Sequence, residues 1–246
     1  RSTLFPYTTL FRSVEIGTIK AWEICERRKI PRIFFVTKMD SNNAKYMETV
    51  NQLKETFGKK IAPFHLPILD GDKLTGYVNV VKMGGRKFID DVGNYDEMEI
   101  PDSITPELEP VREQLMEAVA ESDEELMDKY FAGGEFTYHE ISKALRKSVI
   151  NCDIVPVQIG SGVNCQGVNS FLQTCEKYFP SADKAEVLKK ATNVDTGEEV
   201  VADFDENKPV SAYVFKTIMD PFVGKYSLVK VRTGMFTPGD VVYNAT

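Results

Sequence analysis

The chain has 246 residues, 42% hydrophobic and 27% charged, with a formal charge of -7 at pH 7. That is enough apolar material for one large core or two smaller ones. The negative balance excludes a broad electrostatic grip on a phosphate backbone, and no apolar run approaches the roughly 18 residues that span a bilayer, so neither DNA nor membrane is expected as a partner.

Arg1–Ser13 reads RSTLFPYTTLFRS, with Thr-Leu-Phe occurring twice. It fits neither a helical stripe nor a strand alternation, and it has none of the order of a signal peptide. Over its whole length it resembles the translation of a sequencing-library adapter, so it is set aside from the fold. Val14 is then not expected to be a native start. With no leader and no span, a cytoplasmic location is expected. Cys25, Cys152, Cys165 and Cys175 form no C-x-x-C pair and are too scattered for a disulfide framework, which fits reduced core thiols.

A helical stripe through Ile19, Trp22 and Cys25 leads to Pro31 and a compact apolar run, Ile33 to Val36, of the kind buried on both faces of a parallel sheet. Thr37-Lys38-Met39-Asp40 follows, then a helix with Tyr46, Val50, Leu53 and Phe57 on one face before Gly58. Residues 14–60 thus read as strand, loop and helix of an α/β domain. From Ile61 the pattern changes to short alternating pieces broken by Asp70-Gly71-Asp72 and Gly84-Gly85, a meander. Helices come next: one with the stripe Leu108, Val111, Leu115 and Val119, and two opened by capping boxes, Ser122 with Glu125 and Thr137 with Glu140. Residues 61–149 are therefore read as an inserted α+β subdomain.

Ile154 to Ile159 resumes the buried-strand pattern, ends in Gly160-Ser161-Gly162, and precedes a helix carrying Val168, Phe171, Leu172 and Cys175, so 150–185 completes the parallel sheet. Residues 186–208 are charged and polar, as in a linker. Strand-like runs Val210 to Ile218 and Lys225 to Arg232, with a turn at Thr237-Pro238-Gly239-Asp240, open a β-domain over 209–246.

Two of these strand ends carry groups that suit guanine. Guanine offers N1–H and N2–H2 donors on one edge, and a carboxylate accepts both. Asp40 sits beyond the carboxyl end of a buried strand, where doubly wound sheets bind ligands. Lys38 can lay its aliphatic stem on the purine face. The second loop, Gly160-Ser161-Gly162, offers a backbone N–H for guanine O6 and the Ser161 hydroxyl as a brace for Asp40, so Ser161 and Gly162 join Thr37, Lys38 and Asp40 as candidate site residues. K-x-D alone occurs about once by chance in a chain of this length, so the weight rests on placement.

At these residues the chain resembles elongation factor G. The resemblance runs through Val14-Glu15-Ile16-Gly17-Thr18, Ala21-Trp22-Glu23 and Ile30-Pro31-Arg32-Ile33-Phe34-Phe35. It continues in Phe215-Lys216-Thr217, Asp220-Pro221-Phe222-Val223-Gly224-Lys225 and Tyr243-Asn244. It implies a partial P-loop GTPase-type parallel sheet, the inserted subdomain, and the start of a β-barrel domain. It also implies GTP/GDP as ligand with Mg2+, and the ribosome as partner through ribosomal RNA and the stalk protein. The family's guanine motif begins with Asn where this chain has Thr37; a hydroxyl donates one hydrogen bond where the amide donates two, so weaker bracing and a divergent paralogue are expected.

No G-x-x-x-x-G-K-[ST] occurs in the 246 residues. His65 and His139 stand in no motif matching the family's water-positioning histidine, so no residue is assigned a catalytic role. The expectation is a piece of a translational GTPase, inactive alone, that carries the guanine half of the site. A ribosomal-protection GTPase of the tetracycline-resistance kind shares this architecture, and a nucleotide-independent ribosome-binding remnant is the alternative from another class.

Overall fold

The computed structural model describes residues 14–41, 45–90, 93–181, 189–193 and 196–244. The adapter-like segment and part of the expected linker lie outside these residues. The chain divides into two units, Arg1–Phe179 and Pro180–Thr246.

In the first unit, helix α1 (Ile16–Arg28) stops where Lys29 turns left-handed and returns its N–H to the carbonyls of Cys25 and Glu26. Its inner face is aromatic: Trp22 stacks on Phe57 at 4.2 Å, and Phe57 lies 5.8 Å from Phe34. The Arg32 guanidinium sits 3.7 Å over Trp22 and pairs with Glu26 at 2.9 Å. Lys60 holds the other oxygen of Glu26, also at 2.9 Å. The hydrogen bond from Lys60, then that from Arg32, hold the Glu26 carboxyl below its usual range. One carboxylate thus ties α1 to the residues entering two strands.

Those strands are β1 (Phe34–Val36) and β2 (Ile61–Pro63), which flank β7 (Val155–Ile159) in a parallel sheet of order β1-β7-β2. All five residues of β7 are buried, as a central parallel strand requires. Helix α2 (Tyr46–Phe57) buries Tyr46, Val50 and Leu53, as its stripe predicts.

The sequence pattern puts Ile61 at the start of the insertion, but Ile61–Pro63 pairs in parallel with Val155–Val157. A three-residue strand is too short to show a period, and its partner lies more than ninety residues on, so nothing local marks it. The chain passes directly into the antiparallel sheet, because Phe64 donates to the Val157 carbonyl (2.9 Å) and its own carbonyl accepts from Val80 (2.9 Å). That sheet is the expected meander: β3 (His65–Asp70), β4 (Lys73–Asn79), β5 (Gly84–Phe88) and β6 (Tyr95–Met98), in sequence order.

Helices α3 (Thr105–Ala120), α4 (Glu124–Phe131) and α5 (Tyr138–Ile150) follow. The α3 stripe is buried as expected. Thr137 and Glu140 form a reciprocal capping box at α5. At α4 the cap is Asp123, which accepts from Glu125 N at 3.2 Å, and not Ser122. The Ser122 hydroxyl instead donates to Val119 O at 2.7 Å, closing the preceding helix. Asp123 has the extended backbone of an N-cap and directly precedes the helix, which places its carboxylate on the first-turn amide.

Helix α6 (Val168–Tyr178) buries Ser170, Thr174 and Tyr178, and leaves Leu172 60% exposed. Val168, Phe171 and Cys175, the other apolar residues noted in the sequence, are half-buried. The buried face is polar because it meets polar groups: Thr174 accepts from Gln158 Nε2 at 2.6 Å, and Ser170 Oγ lies 3.0 Å from His65 Nε2. Val50, Leu66, Val78, Leu145 and Val157 belong to one continuous core, so the meander and its helices pack with the parallel sheet.

The second unit contains two antiparallel pairs: β8 (Lys189–Thr192) with β9 (Glu199–Ala202), and β10 (Ser211–Asp220) with β11 (Gly224–Thr233). The β10–β11 turn is closed by Asp220, whose carboxylate accepts from Phe222 N and Val223 N at 2.8 and 2.9 Å. These backbone donors hold the Asp220 carboxyl below its usual range. The Thr237–Asp240 turn closes as expected, with Asp240 N donating to Thr237 O at 3.1 Å. Among the described residues no helix is long and apolar enough to cross a membrane.

Candidate functional site

β1 and β7 run parallel with Val36 opposite Ile159, so the two loops named in the sequence leave the same edge of the sheet side by side. The backbone joins them: Gly160 N donates to Val36 O at 2.9 Å, and Met39 N donates to Gly160 O at 3.2 Å. Met39, 2% exposed, anchors the first loop in the core. Lys38 adopts a left-handed conformation (φ 61), and Ser41 N returns to its carbonyl at 3.1 Å. This tight turn leaves Thr37, Lys38 and Asp40 exposed to solvent.

The second loop is held by its glycines. A Cβ on Gly160 would stand 2.3 Å from both Phe35 Cζ and Gln166 O, and one on Gly167 would stand 2.2 Å from Ile159 O. Gly93, whose own Cβ would stand 2.3 Å from Cys165 O, brings the meander region against the same loop. Ser161 N donates to Gln166 O at 2.9 Å. Gly93 and Gly167 do not stand out in the sequence, since isolated glycines carry no sign of which backbone approaches them.

Ser161 and Gly162 differ in placement. Gly162 is exposed, with open space where a Cβ would be. Ser161 is fully buried, and its Oγ accepts from Val163 N and Asn164 N at 3.3 and 3.4 Å. Its hydroxyl therefore shapes its own loop and makes no hydrogen bond to Asp40, contrary to the brace expected from sequence. A serine side chain bonds its own following amides at small entropic cost, whereas Asp40 belongs to another loop. Among the described residues no group of three or more His, Cys, Asp or Glu side chains is gathered as a metal site.

An exposed carboxylate and an exposed lysine thus stand in the loop beyond one strand end, and the loop carrying Gly162 leaves the neighbouring strand end. Parallel sheets with ligand loops beyond their carboxyl edge define the doubly wound nucleotide-binding class. Residues 10–181 match the elongation factor Tu GTP binding domain, and the chain belongs to that family of translational GTPases, whose domain binds guanine nucleotide. A crystal structure of a protein from Thermus thermophilus is similar, at 29% identity and a TM-score of 0.74, covering 92% of this chain. The chain spans 31% of that protein's length.

Proposed function

We propose that the chain carries the guanine-recognition half of an elongation-factor-G-like GTPase, with Thr37, Lys38, Asp40, Ser161 and Gly162 forming the base pocket. Asp40 accepts from N1–H and N2–H2, Lys38 covers the purine, Gly162 N–H faces O6, and Ser161 fixes the loop that presents Gly162. The observation that carries this reading is the pair of hydrogen bonds locking Val36, Gly160 and Met39 together while Asp40 stays open to solvent. In this reading the ligand is GTP or GDP, Mg2+ accompanies the phosphates, and the partner is the ribosome, through its RNA and stalk protein, in the cytoplasm. Residues 61–149 are the inserted subdomain, less the Ile61–Pro63 strand.

Because these residues contact only the base, the test uses nucleosides. Guanosine binding to the chain, followed by NMR, is expected to exceed that of adenosine and xanthosine. Asp40→Asn should weaken guanosine by about ten- to a hundredfold and favour xanthosine, whose O2 carbonyl accepts from the new amide. Equal binding of the three nucleosides, or an unchanged preference in the variant, overturns the pocket.

A further inference from the structure

A second cavity, of about 460 Å³, lies where β4, β5 and the start of α5 face α6, and it shares no residue with the two strand-end loops. Its lining is unusual in charge. Lys82, Arg86 and Lys177 all border it, against the single carboxylate of Glu176. Among the described residues none of the three cations forms an ion pair with a carboxylate. Arg86 is only 6% exposed, yet it has no anionic partner; its Nη1 donates to the Tyr77 hydroxyl at 2.8 Å, and its guanidinium lies 4.3 Å over the Tyr95 ring. Burying a guanidinium against neutral groups alone is costly, and an anion in the cavity offsets that cost.

The remaining walls suit the same guest. Ser170 and Thr174, both buried, line the cavity from α6. Thr174 Oγ1 accepts from Gln158 Nε2 (2.6 Å), so its own hydrogen is available to a second acceptor. Tyr138 lies between two of the cations, with Lys177 Nζ 4.1 Å and Lys82 Nζ 6.0 Å from its ring centroid. Phe64 and Tyr178 add apolar surface. The size is within the range of small-molecule sites, and the pattern of apolar walls with few convergent polar groups is theirs as well. The positive field also reaches the core, since Arg86 is the second cause, after burial, of the low proton affinity of His65.

We propose that this cavity binds a small organic phosphate, with Arg86, Lys82 and Lys177 on the phosphoryl oxygens, Thr174 as hydroxyl partner, and the aromatic side chains against its apolar body. A dianion balances the excess of positive charge that one carboxylate leaves.

The probe is phenyl phosphate, titrated into the 15N-labelled chain, with phenol and guanosine as comparisons. Saturable shifts are expected at Arg86, Thr174 and Lys177 with phenyl phosphate, weakening as salt is raised, and none at these residues with phenol or guanosine. Lys82→Gln with Lys177→Gln should lower the affinity about tenfold or more with the rest of the spectrum unchanged. Lys82→Gln alone, at an exposed side chain, should lower it in the same direction and does not depend on the double variant folding. Equal shifts with phenol, failure to saturate, or unchanged affinity in the variants overturns the proposal. Guanosine binding is read at different residues, so either site can fail without the other.

Discussion

His65 shows how far one buried side chain departs from its sequence context. It is fully buried, its Nδ1 has no hydrogen-bond partner, and its pKa falls to about 3, through burial first and then Arg86. The folded value lies below the usual 6.5, so the unfolded chain takes up the proton first. The stability this group contributes is present above pH 6.5 and is lost as pH falls toward 3. His65→Gln should flatten the fall of unfolding free energy between about pH 6 and 4 by about 1.4 kcal/mol per pH unit, the value for one proton, measured as urea midpoints. Parallel curves for wild type and variant would show that His65 is protonated to the imidazolium as readily in the fold as in the unfolded chain.

Glu140 acts in the same direction in a lower window. The backbone N–H of Thr137, then Lys129 and the Thr137 hydroxyl, lower its pKa from 4.5 to about 2. Its contribution is present above 4.5 and is lost as pH falls toward 2. Glu140→Gln should change the acid dependence only below pH 4.5, which separates it from His65 in the same series. The Thr137–Glu140 box was legible because its spacing is local; the environment of His65 was not, because Tyr77, Gln158 and Ser170 reach it from three other elements.

At the level of elements, legibility followed burial chemistry. Strand β7, the α2 stripe and the α3 stripe were readable because each buries apolar residues at its own period. Helix α6 was legible as a helix, but the face it buries was not, because that face is Ser170, Thr174 and Tyr178 and offers few apolar residues to count. Strand β2 was missed because it is three residues long and paired across the chain. That the two loops follow buried strands was legible, and those strands are neighbours in the sheet, but the glycine contacts that hold the loops were not legible. Gly160 tests their importance. Gly160→Ala places a methyl 2.3 Å from Phe35 and Gln166 O, and the Gly160 backbone bonds both Val36 and Met39. The substitution should destabilise the first unit by about 1–3 kcal/mol and weaken guanosine binding, since the Asp40 turn loses its tether. Calorimetry with the nucleoside titration checks both, and a variant with wild-type midpoint and affinity would show that the loops are positioned by other contacts.

At the level of the whole molecule, the two units bury their chains very differently. The first has a continuous core joining helices and sheets, whereas β10 and β11 pair with each other and leave most of their side chains exposed. Tyr213, Phe215, Met219, Phe222 and Tyr226 are between 42% and 96% exposed. A two-stranded hairpin is marginal alone in water, and exposed apolar strands are a template for further pairing. The described arrangement therefore predicts concentration-dependent association of the 246-residue chain, mediated by the second unit. Light scattering across a dilution series should show mass rising with concentration, whereas a chain ending at Phe179 should stay monomeric. Phe215→Lys with Met219→Lys should suppress association without moving the melting transition of the first unit, because neither residue belongs to that core. If the shortened chain associates as strongly, the contact lies in the first unit, and the exposed hairpin is not what draws the copies together.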